Sequence, residues 1–413
     1  MEKIKICLIA PPYSGHLNPL LGLGVALKER ADVTVMSTPG AMAAAAAAGL
    51  KGIPILAEKE ALVWEIASPG VTVGSHPQRL LRQLRINVSM LGDMLGELDV
   101  IFSALKPDLV IADFTLPVAS TAAARCGARW WTTLPSPCVL ETPDGPPPYF
   151  RGLAPARSWF GAIEHAALRK LTRLFKQAVF FAFRKKFRQV GLEQIYRADG
   201  SERVYSKEAI LAIGIHELEF ARTFPDYLHF IGPSFFTPSS ATETPFFENG
   251  KKHLLVTFGT HLAHLKDGIA RCLREIAAAH PEWVIHLTDG GTGPGHSIHE
   301  GNFHRYGFIS YDQHLHRYDL VMHHGGAGIM LKCLEQGLPA LVMPVDFDQF
   351  DNAARLVHAG VARRVRSFGE IPAAISEVMQ DEVMATRCRE MARIVAGYHS
   401  GKTVCALVKK AFS

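Results

Sequence analysis

At 413 residues the chain exceeds what one hydrophobic core usually serves, so two domains are expected. Hydrophobic residues at 48% and charged residues at 20% form an ordinary globular balance, which excludes a disordered or fibrous chain. The net charge of +5 is mild at this length, and without a long Lys/Arg block or a stacking module it does not point to nucleic acid.

In chain order, Ile4 to Ala10 reads as a strand, Leu17 to Arg30 as a helix and Val33 to Ser37 as a second strand. The first apolar run is too short for a signal peptide, and prolines follow at once. The alanine tract Ala41 to Ala48, closed by Gly49, predicts a crossover helix. Asp108 to Ala112 is a further strand, followed by a helix from Pro117 to Cys126 and a strand from Arg129 to Thr133. Residues 151–188 differ, with ten Lys/Arg against the single acid Glu164 and aromatics interleaved. A basic amphipathic helix of this kind lies on an anionic membrane or guards an apolar pocket; the plainer alternative is a solvated helix face.

The stretch FIGPSFFTPSSATETPFFENGKK is rich in Pro, Ser and Thr and reads as an interdomain linker. A second alternation begins at His253, with strands Leu254 to Gly259, Trp283 to Leu287, Asp319 to His323 and Ala340 to Pro344. Helices are expected from Lys266 to Ala279, from about Ile329 and from about Asn352 to Ala359. The whole pattern predicts an α/β protein of two Rossmann-like doubly wound domains facing across a cleft. Seven scattered cysteines without a Cys-x-x-Cys pair argue against a disulfide framework or zinc ribbon. No apolar run reaches bilayer length, and the expectation is a cytoplasmic protein, with membrane association through 151–188 left open.

Open α/β sheets bind ligands beyond the carboxyl ends of their strands, so the candidate residues are sought there. VMHHGGAGIM (Val321 to Met330) places two histidines at a strand end before a glycine run. Adjacent strand residues point to opposite faces, so His323 and His324 chelate one ion poorly. A metal site would need His314 and His316, which share a face only if extended, and no carboxylate or cysteine completes the set. Gly325, Gly326 and Gly328 instead allow close backbone approach at the positive end of a helix, which suits phosphate; a tight turn is the alternative. Asp348 and Gln349 emerge at the same edge and suit sugar hydroxyls, or else cap the following helix. Gly259-Thr260 makes another small polar turn there. In the first half, His16 follows strand one and is a plausible general base or a helix cap, and Asp113 could orient its imidazole. Gly22-x-Gly24 lies inside a helix and lacks a third glycine, which argues against nicotinamide binding.

Taken in order, GHLNPLLGLGVAL, PDLVIADF, IHELEF, VTFGT, HHGGAG and DQFDNAARL resemble the nucleotide-sugar-dependent glycosyltransferases of the GT-B fold, above all the inverting macrolide and UDP-glucuronosyl-type family. The resemblance implies His16 as base toward the acceptor hydroxyl and Asp113 as its orienter. It implies His324, Gly325, Gly326, Gly328 and Thr260 at the donor diphosphate, Asp348 and Gln349 at the sugar, and Phe308 stacked on the base. It also implies an N-terminal acceptor domain (1–215), a linker (216–250), a nucleotide-sugar domain (251–395) and a C-terminal helix (396–413) that could cross back to the first domain. The partners implied are a UDP- or TDP-linked sugar and a hydrophobic small-molecule acceptor, with no cofactor and no metal. Ile329 and Met330 stand where relatives carry hydroxyls, Lys332 where many carry a ribose-binding Glu, and Ser310-Tyr311 where Pro-Gln is usual. These departures keep open a non-catalytic helper that binds a partner enzyme; a nucleotide-sugar epimerase would want more acids and bases than His16 alone.

Overall fold

The computed structural model describes residues 3–67, 73, 76–237, 243–259, 262–291 and 297–413. Strands β1 (Ile4–Ile9), β2 (Ala31–Ser37), β3 (Lys51–Pro54), β4 (Leu109–Asp113), β5 (Arg129–Leu134), β6 (Ile210–Ala212) and β7 (Leu228–Phe230) form a parallel sheet in the order β3-β2-β1-β4-β5-β6-β7. A second sheet contains β8 (Lys252–Thr257), β9 (Trp283–Thr288), β10 (Ile298–Glu300), β11 (Phe303–Tyr306), β12 (Leu320–His323), β13 (Ala340–Val342) and β14 (Ala362–Arg364). Its order is β10-β11-β9-β8-β12-β13-β14, and only the edge hairpin β10–β11 is antiparallel. Each sheet therefore reverses winding once, between β1 and β4 in the first and between β8 and β12 in the second. That arrangement is the doubly wound fold expected from the alternation of apolar runs and helices.

The strand interiors explain the pattern. β4 is buried along its whole length, as a parallel strand covered on both faces must be. The helix Ser14–Leu27 packs Leu17, Leu20, Leu21 and Leu23 against β1 and β2, and Pro19 sits inside it, where it cannot donate the usual helical hydrogen bond to the Gly15 carbonyl. Six short strands escaped the sequence reading. β3, β6, β7, β10, β11 and β14 have three or four residues each, too few to display a period. β7 belongs to the stretch 216–250 taken as linker, and it hydrogen-bonds to β6 as the far edge of the first sheet.

The C-terminal helix Ser400–Ala411 lies along the helix Ser14–Leu27 of the first half. The Cys405 thiol donates to the Ala26 carbonyl, and the Arg129 guanidinium donates to the Ala411 carbonyl while lying 5.5 Å over the Phe412 ring. Among the described residues no helix is long and apolar enough to cross a membrane.

Candidate active site

Both switch points deliver side chains to one cleft. After β1 the chain turns through Pro11, Pro12 and Tyr13 into the helix Ser14–Leu27, so His16 sits in that helix's first turn. Asp113 is the last residue of the neighbouring β4. The His16 Nδ1 and Asp113 Oδ2 are 2.9 Å apart, with the carboxylate side chain wholly buried and the imidazole 26% exposed. The other Asp113 oxygen accepts from the Thr115 amide (3.0 Å) and hydroxyl (2.6 Å), which fixes the carboxylate in place. A carboxylate on Nδ1 selects the tautomer that carries its proton there, leaving Nε2 with a free lone pair. Burial pushes the imidazole pKa down, but the charge and hydrogen bond of Asp113 outweigh it and raise the value above that of a free histidine. Phe114 stacks on the His16 ring at 6.1 Å and Tyr13 meets it edge-on at 6.0 Å, giving the imidazole an aromatic surround. His16 is therefore more than a helix cap, because its ring is held by a carboxylate 97 residues away.

In the second half, β12 ends at His323 and a helix, Ala327–Gln336, begins three residues after His324. His323 is fully buried and its Nδ1 accepts the Gly325 amide at 3.0 Å. Burial and the neighbouring His324 push its pKa down to about 3, so it is a neutral structural acceptor. Gly325 is thereby corrected as a phosphate donor: its N–H is taken by His323, and its carbonyl accepts from the Asn352 side-chain amide at 2.9 Å. Its φ of 93° explains the glycine instead, since a side chain is strained there. Gly326 is the helix N-cap, and a Cβ at that position would lie 2.5 Å from His324 Nε2. The His324 ring thus folds over the start of the helix and stacks on Phe258 at 6.4 Å. The imidazole therefore stands beside the first-turn amides and the positive end of the helix. His314 and His316 lie in a helical turn (Tyr311–His314 and Leu315–Arg317), so the extended pairing that a metal site required does not form. Among the described residues no three His, Cys, Asp or Glu side chains group as metal ligands. Thr260 lies outside the described residues, and Phe308 is half-buried just beyond β11.

Asp348 and Gln349 open the helix Gln349–His358, and the N-cap Asp348 makes no side-chain cap hydrogen bond. The Gln349 Oε1 accepts the amides of Val345 (2.9 Å) and Asp346 (3.0 Å), so its oxygen serves the turn rather than a ligand. Asp348 reaches across the cleft, where Ser136 Oγ donates to its Oδ2 at 2.5 Å. Burial raises its pKa, while the Ser136 hydroxyl and the facing His16 pull it back. Asp351 likewise accepts the Tyr149 amide of the first half at 2.8 Å, and burial lifts its carboxyl to about 6.

Several contributors were not singled out by the sequence reading. Ser136 stands alone in its loop and gave no signal. Asn352 and Glu219 lay inside the quoted motifs DQFDNAARL and IHELEF without an assigned role. Asn352 ties Gly325 to the loop that carries the Cys138 thiol, which donates to its Oδ1 at 3.2 Å. Glu219 accepts from Arg355 (2.9 Å) and Arg222 (2.8 Å), all nearly fully buried, and so joins the two halves. The departures behave differently from one another. Ile329 and Met330 are buried members of two apolar clusters, so hydroxyls there would lie in apolar surroundings. Lys332 is held by Asp312 (2.5 Å) and Glu335 (3.0 Å) and lies 3.8 Å over the Phe235 ring.

The geometry defines an α/β protein of two facing Rossmann-like domains with a buried His–Asp pair at one switch point and a glycine-rich helix start beside His324 at the other. Residues 270–404 match the model of the erythromycin biosynthesis protein CIII-like C-terminal domain. A zeaxanthin glucosyltransferase of Pseudescherichia vulneris is 25% identical over 75% of this chain and 75% of its own. The NDP-glycosyltransferase YjiC of Bacillus subtilis is 22% identical over 96% of this chain and 94% of its own. The solved glycotransferase of kitacinnamycin superposes over 99% of each chain with a TM-score of 0.78 at 21% identity. The chain has the GT-B fold that its motifs led us to expect, and it is similar to glycosyltransferases that act on natural products.

Proposed function

We propose that this chain transfers a sugar from a UDP- or TDP-linked donor to a hydroxyl of a hydrophobic small molecule, with inversion and without a metal. The observation that carries the reading is the 2.9 Å pair between His16 Nδ1 and Asp113 Oδ2 at the mouth of the first sheet. In this scheme His16 Nε2 takes the acceptor O–H proton as the oxygen bonds to the anomeric carbon. The bond from that carbon to the diphosphate breaks, and its electron pair leaves with the nucleoside diphosphate. The developing imidazolium is balanced by Asp113, and the departing charge by His324 and the amides of the first turn of Ala327–Gln336. Asp348, opposite His16, is the side chain best placed to meet sugar hydroxyls. Attack opposite the leaving group accounts for inversion. Dipole, amide and imidazole supply the charge stabilisation that a metal gives elsewhere, so a chelator is expected to leave turnover unchanged. A non-catalytic helper has no use for a buried carboxylate aligned on an imidazole.

The test is to replace His16 by Ala, measure turnover with UDP- and TDP-sugars, and follow donor binding by thermal shift. Turnover should be lost while the donor-induced shift persists. Undiminished turnover removes His16 as base, and a protein shifted by no nucleoside diphosphate or its sugar removes the donor reading.

A further inference from the structure

The helix Trp159–Ala182 is turned inside out relative to an ordinary surface helix. Its inward positions are polar, at the i, i+4, i+7 spacing that marks one face. His165 and Thr172 are its buried residues, and Arg169 Nη1 donates to the Gly145 carbonyl at 2.8 Å. Lys176 is clasped by Glu141 (2.5 Å) and Glu202 (2.7 Å). The outward face is apolar instead. Phe160, Ile163, Leu171, Leu174 and Phe181 follow one another at steps of 3, 8, 3 and 7 residues, near-whole helical turns that keep them on one face, and each is 52–66% exposed. The helix has 24 residues and is about 36 Å long, and the stripe runs most of that length. Monomeric proteins rarely leave so long a contiguous apolar face in water.

The charges flanking the stripe have one sign. Arg157, Lys170, Lys185, Lys186 and Arg188 are exposed, against the single exposed acid Glu164. Arg184 lies 4.3 Å over the Phe181 ring at the far end, and Trp159 stands 65% exposed at the near end. The following short helix, Arg184–Gln189, is anchored by Phe187, which stacks on Phe180 at 4.9 Å and packs into the core of the first half. The basic end is thus fixed relative to the stripe.

We propose that this outer face docks on an anionic lipid bilayer, the apolar stripe entering the headgroup boundary and the flanking Lys and Arg side chains meeting lipid phosphates. An interfacial helix has this composition: Trp, Phe and Leu on one face, Lys and Arg beside it. A second copy of the chain fits less well, because two-fold pairing would set one basic border against the other. The face lies beside the cleft as well as facing outward. Arg169 holds Gly145, and the same loop carries Tyr149, which bonds to Asp351 of the opposite half. Docking would therefore bring the mouth of the cleft to the surface where apolar molecules partition.

The test is flotation of the full chain with phosphatidylcholine vesicles with and without phosphatidylglycerol. Two variants are compared, Phe160→Ser with Leu174→Ser, and Lys185→Glu with Arg188→Glu, all at exposed positions whose replacement leaves the core intact; near-UV circular dichroism checks the fold. The chain should float only with the anionic vesicles, be released by salt and show a blue shift that Trp159→Phe abolishes. Each double variant should lose at least about tenfold in vesicle affinity. Failure of the full chain to float, or flotation unaffected by both variants, overturns the proposal. A dimer seen by light scattering that Phe160→Ser with Leu174→Ser dissolves, without vesicle binding, assigns the stripe to a second copy instead.

Discussion

The His16–Asp113 pair makes a pH-dependent demand on a single bond. A base must be deprotonated, and the buried carboxylate holds the His16 pKa above its ordinary value. kcat/KM should therefore rise with pH through that raised value, since only the neutral imidazole accepts a proton. Asp113→Asn removes the negative charge that favours the imidazolium, so the acid limb should move to lower pH. The same change loosens the tautomer, so kcat should fall by about 10²- to 10⁴-fold with little change in donor KM. A pH–rate profile of the two proteins decides the point, and an unmoved limb would show that Asp113 does not act through His16. The two members were legible in the sequence because each stands at the end of an apolar strand, where switch-point residues converge, but their contact was not. Gly325 was misread for an equally local reason. Nothing in HHGG reveals that the second-next amide turns back to His323 rather than outward. Gln349 shows the same limit, since its oxygen closes its own turn.

At the scale of elements, the glycine run works by leaving room for His324 as well as by freeing amides. A Cβ on Gly326 would come within 2.5 Å of His324 Nε2 and 3.0 Å of Cε1, so Gly326→Ala must rotate the ring off the helix start. The displaced atoms are the far end of one side chain, and the apolar face of the helix, including Met330, Leu331 and Leu334, is untouched. Gly326→Ala should thus weaken UDP and TDP binding by about tenfold, the worth of a helix-end or imidazole contact, with the melting temperature nearly unchanged. Calorimetric titration of both nucleotides checks this; unaltered affinity would dissociate His324 from the diphosphate. Long periodic segments such as β4 and the helix Ser14–Leu27 were readable from their apolar spacing. The helix Trp159–Ala182 was readable as amphipathic but not as to which face it buries. Its inward charges find Glu141 and Glu202, and partners that distant in sequence cannot be read from helical spacing.

For the whole molecule, the halves share one apolar cluster that runs from Leu20 and Ile213 to Met330, Leu356 and Val404, and a few polar bridges join them as well. Ser136 meets Asp348, Tyr149 meets Asp351, and Glu219 meets Arg355. Glu219 is the node, because it also accepts from Arg222, and its side chain is 5% exposed against 3% for Arg355 and 0% for Arg222. The motifs that contain these residues were plain in the sequence, but their pairing joins positions 136 apart and emerges only when both sheets are built. A buried ion pair loses most when one member is removed and the other stays charged, at about 3–5 kcal/mol. Glu219→Gln leaves two buried guanidinium groups without their carboxylate, whereas Arg355→Met leaves Glu219 still paired with Arg222 at 2.8 Å. Glu219→Gln should therefore be the more damaging change, costing about 3–5 kcal/mol by denaturant unfolding against roughly 1–3 kcal/mol for Arg355→Met. Because the bridge sets how the His16 edge faces the Asp348 edge, both variants should also lower kcat at saturating donor. The order of the two variants is the decisive reading: if Arg355→Met proves the costlier, the link depends on Arg355 packing over the Phe220 ring, 4.5 Å away, and not on Glu219.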